Sequence, residues 1–215
     1  MIYCIGDSFT YGDELTDPTQ SAWPVLLGQL LDRPMINLGR SGSGTNRVVK
    51  RSMDCVYAND AELIVVAWPN FARIEFCDPY GIFDAWPGQN TDHLALQERK
   101  TITKILTINH TNQMDVWSYR AWLRNIILLQ NFFQANNQKY IMCQTASYNT
   151  EFPATNNQDL ISHIDTKYYL DWQKAGICNW CEGVPIGPNH HPLEQGHEII
   201  ANKIYEYIRN FSWFS

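Results

Sequence analysis

At 215 residues, with 45% hydrophobic and 18% charged residues, the chain is long enough to bury a large core and too apolar to be a disordered polymer. Its net charge of −6 and the lack of any basic run argue against a nucleic-acid partner and against adhesion to anionic membranes. No apolar run approaches the ~20 residues needed to span a bilayer, and Met1 leads into a strand without a basic leader, so a cytoplasmic chain is expected.

Ile2-Tyr3-Cys4-Ile5 reads as a buried first strand, and it empties into Gly6-Asp7-Ser8-Phe9-Thr10-Tyr11-Gly12. Such a cluster after a strand is commonly only a turn. At the carboxyl edge of an open α/β sheet, however, it offers backbone N–H groups and a hydroxyl where ligands bind. Ser8 is the candidate nucleophile, and Asp7 is expected to brace the loop. From Ala22 to Leu31, Trp23, Leu26, Leu27, Leu30 and Leu31 recur at helical spacing, with Pro24 suited to the first turn. Met35 to Leu38 reads as a short second strand. The run Gly39 to Asn46 carries three glycines but neither a Walker A nor a dinucleotide spacing. It is either a surface loop or the source of an oxyanion-binding N–H, and a helix over Val48–Val56 follows.

Ala61 to Ala67 is nearly all apolar, as a central parallel strand buried on both faces should be. Asn70 follows it, in a place where a cap for the next segment is the common use of Asn. Residues 78–115 have weak periodicity and read as an insertion beside the carboxyl edge. In it Tyr80, Phe83 and Trp86 are either sugar platforms or a satellite core, and His93 and His110 read as surface residues. Val116–Ala135 is a long helix with Trp122, Ile126, Leu129 and Phe133 on one face, and Lys139–Thr145 is the next strand. Asp159–Lys174 has helical spacing, and an extended piece near Ile177 follows. The last helix is expected over Glu198–Ile208, with His197 as a surface or packing residue. This alternation of apolar runs and helical segments gives an α/β domain with a mainly parallel sheet.

Cys4 and Cys143 lie in strand-like runs and read as small buried hydrophobes. Cys178-Asn179-Trp180-Cys181, followed by His190 and His191, offers zinc as an alternative, but no second tight pair accompanies it. A reduced pair in a loop is the plainer reading, and no metal is assigned.

Together, Gly6-Asp7-Ser8, the order Asn37…Ser41-Gly42, Asn70 after the third strand, and His191-Pro192 with Gly196 before the last helix resemble the blocks of the GDSL, or SGNH, hydrolase family. The resemblance implies a single domain over residues 1–215 with a flavodoxin-like three-layer α/β/α fold. It also implies ester hydrolysis without a cofactor: Ser8 as nucleophile, His191 as base, and the N–H groups of Ser8 and Gly42 with the Asn70 side chain as oxyanion hole. Three departures stand out. Trp68 and Phe71 replace the family's glycine and acid around Asn70, and Pro188 stands where the family places the aspartate that orients the histidine. A backbone carbonyl in the Gly187–Asn189 turn, that of Pro188 included, or Glu182, or Asp165 or Asp171, is the expected substitute. The expected substrate is a small-molecule or carbohydrate ester. The competing reading is a catalytically silent binding or structural protein on the same fold. Oligomeric state is not legible.

Overall fold

The structure is a computed structural model that describes residues 1–58, 60–78, 81–85, 99–104, 112–146 and 157–214. Four strands form one parallel sheet: β1 (Ile2–Ile5), β2 (Met35–Asn37), β3 (Leu63–Trp68) and β6 (Tyr140–Gln144), in the order β2-β1-β3-β6. The register runs Ile2 opposite Met35 and Leu63, and Ile64 opposite Tyr140. An isolated parallel bridge between Met142 and Tyr169 extends the outer edge beyond β6.

The side-chain period of two in each central strand feeds two separate cores. Tyr3, Ile5, Ile64, Val66, Trp68, Tyr140 and Met142 face one layer, where α4 (Thr45–Tyr57) and α6 (Asn112–Ala135) supply Val48, Cys55, Trp122, Leu123, Ile126, Leu129 and Phe133. Ile2, Cys4, Leu63, Val65, Ala67, Ile141 and Cys143 face the other. There α3 (Trp23–Leu31) and α9 (Glu194–Ile208) bring Trp23, Leu27, Ile200, Ala201, Ile204 and Ile208. This is a flavodoxin-like α/β/α sandwich, and burial on both faces explains why β1, β3 and β6 carry almost no polar residue. Cys4 and Cys143 are buried free thiols in the second core, and burial pushes both upward in pKa.

Smaller elements also occur among the described residues. They are α1 (Ser8–Tyr11), α2 (Pro18–Ser21), a helical piece α5 over 99–104, α7 (Gln158–Ile161), a 3-10 turn (Thr166–Tyr168) and α8 (Ile177–Trp180). After β3 an antiparallel hairpin forms from β4 (Ile74–Asp78) and β5 (Gly81–Ala85), pairing Ile74 with Ala85 and Asp78 with Gly81. The expected insertion therefore starts as a hairpin a few residues earlier than its weak periodicity suggested. Tyr80, Trp86, His93, His110 and the side chain of Phe83 lie outside what the structure describes.

Two expectations are corrected. Asp159–Lys174 is not one helix: α7 ends at Ile161, and the 3-10 turn and the Tyr169 bridge follow. Its apolar residues serve both sides of the sheet edge, Ile164 and Tyr169 on one core and Leu170 on the other. Ile177 opens a helical turn rather than an extended piece.

Of the two readings of His197, surface or packing, the structure gives packing: the residue is fully buried. Its Nδ1 accepts the Trp23 N–H at 3.0 Å. Ala22, the residue before α3, provides no side-chain cap, so an imidazole from α9 takes one of the helix's orphan donors. Burial lowers the His197 pKa to about 4.

Candidate active site

The loops after β1, β2 and β3 lie side by side at the carboxyl edge of the sheet, because those three strands are neighbours in it. In the first, Asp7 caps the short helix that begins at Ser8: the Phe9 N–H donates to Asp7 Oδ1 at 3.1 Å. Asp7 is fully buried and Ser8 is 5% exposed. Asp7 Oδ2 lies 3.0 Å from Arg73 Nη1, and the same nitrogen donates to the Ser43 carbonyl at 3.0 Å. One guanidinium thus ties the serine loop and the glycine-rich loop to the loop after β3. A buried carboxylate needs such a partner to remain ionised. The bracing role expected for Asp7 has a visible cause in Arg73, a residue that the sequence reading left without a role.

Asn37, at the end of β2, fastens the second loop to the first. Its Nδ2 donates to the Thr10 carbonyl at 2.9 Å, and its Oδ1 accepts the Gly39 N–H at 2.9 Å. A Cβ on Gly39 would collide with the backbone of Thr10 and Tyr11, so this close approach requires glycine. Gly42 is buried and has φ of 78°, a left-handed conformation. Among the described residues, the backbone N–H groups of Ser8 and Gly42 have no acceptor.

Asn70 sits after β3 with its Oδ1 accepting the Ala72 N–H at 2.7 Å. That is the capping geometry, and it also fixes the amide: with Oδ1 occupied, Nδ2 is left as a donor with no partner among the described residues. The two readings of Asn70 are compatible. Phe71, where the family has an acid, is 8% exposed and packs edge-on against Tyr119 of α6, with ring centroids 5.6 Å apart. Trp68 fills the same core, 6.5 Å from Trp122. Both replacements serve packing.

His191 arrives from the far end of the chain. The turn that carries it is closed by the Gly187 N–H donating to the His191 carbonyl at 2.8 Å and by a bridge between Ile186 and Pro192. Its ring packs on Phe9, the neighbour of Ser8, with centroids 5.1 Å apart.

The partner of its Nδ1 is Glu14 Oε2, at 2.9 Å. Neither Pro188 nor Glu182 takes that place. Glu182 accepts from Asn179 Nδ2 at 3.0 Å, Asp165 caps the 3-10 turn, and Asp171 receives Trp180 Nε1 and Lys203. Glu14 also accepts the Asn189 N–H at 2.9 and 3.0 Å, Asn189 Nδ2 at 3.1 Å and the His191 N–H at 3.2 Å. Desolvation opposes its ionisation. The bonds from the Asn189 N–H and from the ring and backbone of His191 outweigh that and hold its carboxyl below the ordinary value.

The clasp explains two local features. Glu14 has φ of 68° and His190 of 65°, left-handed conformations uncommon outside glycine. A Cβ on Gly187 would stand 2.6–2.8 Å from the Glu14 carboxyl atoms, so a glycine there makes room for the acid. The sequence signal for Glu14 was faint, since the residue lies 177 positions from His191 and outside every block of the family pattern.

Cys181 is buried with its thiol 3.6 Å from the Gly196 carbonyl, and Cys178 is exposed. Among the described residues, no three His, Cys, Asp or Glu side chains are grouped to hold a metal ion.

A parallel four-stranded sandwich with a serine turn after β1, a glycine loop after β2, an asparagine after β3 and a His-Pro turn before the last helix has the fold of the GDSL/SGNH hydrolases. Solved structures agree on that fold. A protein assigned to the G-D-S-L lipolytic family from Desulfitobacterium hafniense DCB-2 superposes with a TM-score of 0.55 at 14% identity, over 96% of this chain and 98% of that one. A catalytic mutant of an acetylxylan esterase from Geobacillus stearothermophilus gives 0.54 at 14% identity, over 100% and 95%. A two-domain esterase active on acetylated mannans, crystallised with mannopentaose, gives 0.51 at 15% identity, over 97% of this chain and 48% of that one. No protein-family model and no curated protein sequence matches the chain.

Proposed function

We propose that the protein is a serine esterase in which Ser8 is the nucleophile, His191 the general base and acid, and Glu14 the carboxylate that orients and stabilises the imidazole. The observation that carries the reading is the Glu14–His191 contact of 2.9 Å, on a histidine whose ring rests on the neighbour of Ser8. It supplies the acid whose absence at Pro188 gave the silent-scaffold alternative its force.

In the tautomer whose Nδ1–H donates to Glu14, Nε2 is the ring nitrogen available to take a proton from Ser8. His191 takes the hydroxyl proton as Ser8 Oγ bonds to the ester carbonyl carbon. The resulting oxyanion is met by the Ser8 and Gly42 N–H groups and Asn70 Nδ2, three donors left over at neighbouring loops. Collapse breaks the bond to the alcohol, which leaves with the proton from His191. Water then attacks the acyl-serine by the same route in reverse, releasing the acid and restoring Ser8. Glu14 stays ionised throughout and faces the imidazolium each time it forms.

An acyl or acetyl group carried on a carbohydrate is the favoured substrate class. Two of the similar structures are esterases named for acetylated xylan and acetylated mannans.

The test is hydrolysis of p-nitrophenyl acetate and butyrate by the native protein and by Ser8→Ala, with a fluorophosphonate to report serine labelling. Turnover and labelling that both disappear in Ser8→Ala are expected. Folded native protein that neither turns over nor labels would return the reading to a silent scaffold.

A further inference from the structure

Beside the three oxyanion loops, a cleft of about 400 Å³ opens between the start of α4, the segment after β3 and α6. Its size falls in the range of small-ligand sites, ~300–1,000 Å³. Thr45 and Asn46 in its lining follow Gly42 by three and four residues, and Phe71 and Arg73 follow Asn70 by one and three, so the cleft and the proposed oxyanion hole draw on the same two loops. The far wall is α6, where Trp117 is 60% exposed beside Ser118, Arg124 and Asn125.

The lining has a consistent chemistry. Trp117 offers a broad apolar face in water. Around it stand two amides that already share a bond, Asn125 Nδ2 donating to Asn46 Oδ1 at 3.2 Å. The charges come largely as pairs: Arg73 with Asp7 at 3.0 Å and Glu75 with Arg47 at 3.6 Å. A long acyl chain laid here would desolvate amides and ion pairs while satisfying none of them. A simple anion would find its best cation engaged by a buried carboxylate. A ligand that presents a flat C–H face to an indole and hydroxyls to amides, guanidinium and carboxylate meets Trp117, both amides and the charged groups of the lining, with Phe71, Ala121 and Trp122 as further apolar surface. Sugars have that shape.

We propose that this cleft binds a carbohydrate chain, one sugar ring stacking on Trp117 with its hydroxyls on Asn46, Asn125, Arg124 and Glu75. In that arrangement the acylated hydroxyl is directed toward Ser8, and the sugar is the leaving alcohol. The direction of the sugar rests on the esterase reading, whereas the binding does not.

The experiment therefore uses Ser8→Ala protein and unacylated xylopentaose, mannopentaose and cellopentaose, followed by titration calorimetry and tryptophan fluorescence. At least one pentaose should bind saturably, with a Kd of roughly 10 μM to 1 mM. Adding Trp117→Ala should weaken that binding by about tenfold or more, on the scale of one lost stacking contact. Asn125→Ala should weaken it by a smaller factor. Tyr57→Ala is the control: Tyr57 is an exposed aromatic at the far end of α4 from Thr45, about 18 Å along the helix, and its loss should leave binding unchanged. No saturable binding of any of the three, or equal binding with and without Trp117, overturns the proposal. Fluorophosphonate labelling of the native protein is read separately. Binding without labelling would keep the cleft and remove the esterase, and labelling without binding would do the reverse.

Discussion

Glu14→Gln removes the charge of the proposed acid while keeping its size. Glu14 accepts from Asn189 and from the His191 backbone as well as from His191 Nδ1. A glutamine has one acceptor oxygen for these donors. If that oxygen stays with the backbone N–H groups, the amide NH₂ faces Nδ1 and selects the tautomer with the proton on Nε2. That tautomer cannot accept the Ser8 proton. If the amide flips, Nδ1–H is accepted but its NH₂ opposes the Asn189 and His191 N–H groups. Either way the neutral amide no longer stabilises the imidazolium. The expected loss in kcat is about 10²- to 10⁴-fold, the upper end being the scale for a wrong-tautomer substitution in a serine triad. The KM for p-nitrophenyl acetate should change little, because Glu14 does not face the acyl group in the proposed mechanism. The assay pairs initial rates with the rate of fluorophosphonate labelling, and circular dichroism confirms folding. Activity within threefold of native, in a preparation where Ser8→Ala is dead, would remove Glu14 from the mechanism.

Gly187→Ala should reproduce part of that loss from the opposite side, since the new methyl would stand 2.6–2.8 Å from the Glu14 carboxyl; a 10- to 100-fold fall in labelling rate is expected, about 1.4–2.8 kcal/mol of barrier, and a native rate would mean that Glu14 relaxes without consequence. Arg73→Met should destabilise the fold by about 3–5 kcal/mol, by leaving Asp7 buried and unpaired; urea unfolding of Arg73→Met with Asp7→Asn should recover much of that, and a strictly additive double variant would refute the clamp. Stability should also fall on acidification through His197. Its folded pKa of about 4 lies below the unfolded ~6.5, so its contribution is complete above the unfolded value and is lost as pH falls toward the folded one, amounting to about 3 kcal/mol. The urea midpoint of His197→Phe should depend less on pH between 7 and 4 than that of the native chain, and an unchanged dependence would contradict the assignment.

How far the sequence reached depended on whether a residue's role was local. β1, β3 and β6 were legible because a parallel strand buried on both faces has to be apolar at every position, and Leu63 to Trp68 obey that rule without exception. α6 was legible because Trp122, Ile126, Leu129 and Phe133 hold a single face against a single core. The segment after Asn157 misled for the converse reason: its apolar residues divide between two cores around a sheet edge, and the division imitates a helical period. His197 and Glu14 were beyond local reading altogether. One caps a helix 174 residues away and the other contacts a ring 177 residues away, and nothing in the composition around either marks the partner.

The position of Glu14 bears on what the departure at Pro188 means. An acid placed three residues before the histidine must be presented by the same turn, so that turn has to supply both the base and its orienter. Here the two tasks are separated. The turn from Gly187 to His191 presents the imidazole, the Asn189 N–H and the His191 N–H as donors, and a glycine whose missing Cβ leaves space between them. The loop after β1 brings the carboxylate, six residues beyond Ser8 in the sequence. The proposed nucleophile and the proposed acid therefore belong to one short segment. That segment is held by the Asp7–Arg73 bridge at one end and by Asn37 on the carbonyls of Thr10 and Tyr11 in its middle. His191, the proposed base, comes from a distance, and Glu14 holds it through bonds to its ring and to the backbone on either side of His190. A carboxylate that docks the histidine turn and then orients the imidazole needs no aspartate in that turn. Under the proposed mechanism, Pro188 is accounted for by the contact of Glu14 with His191.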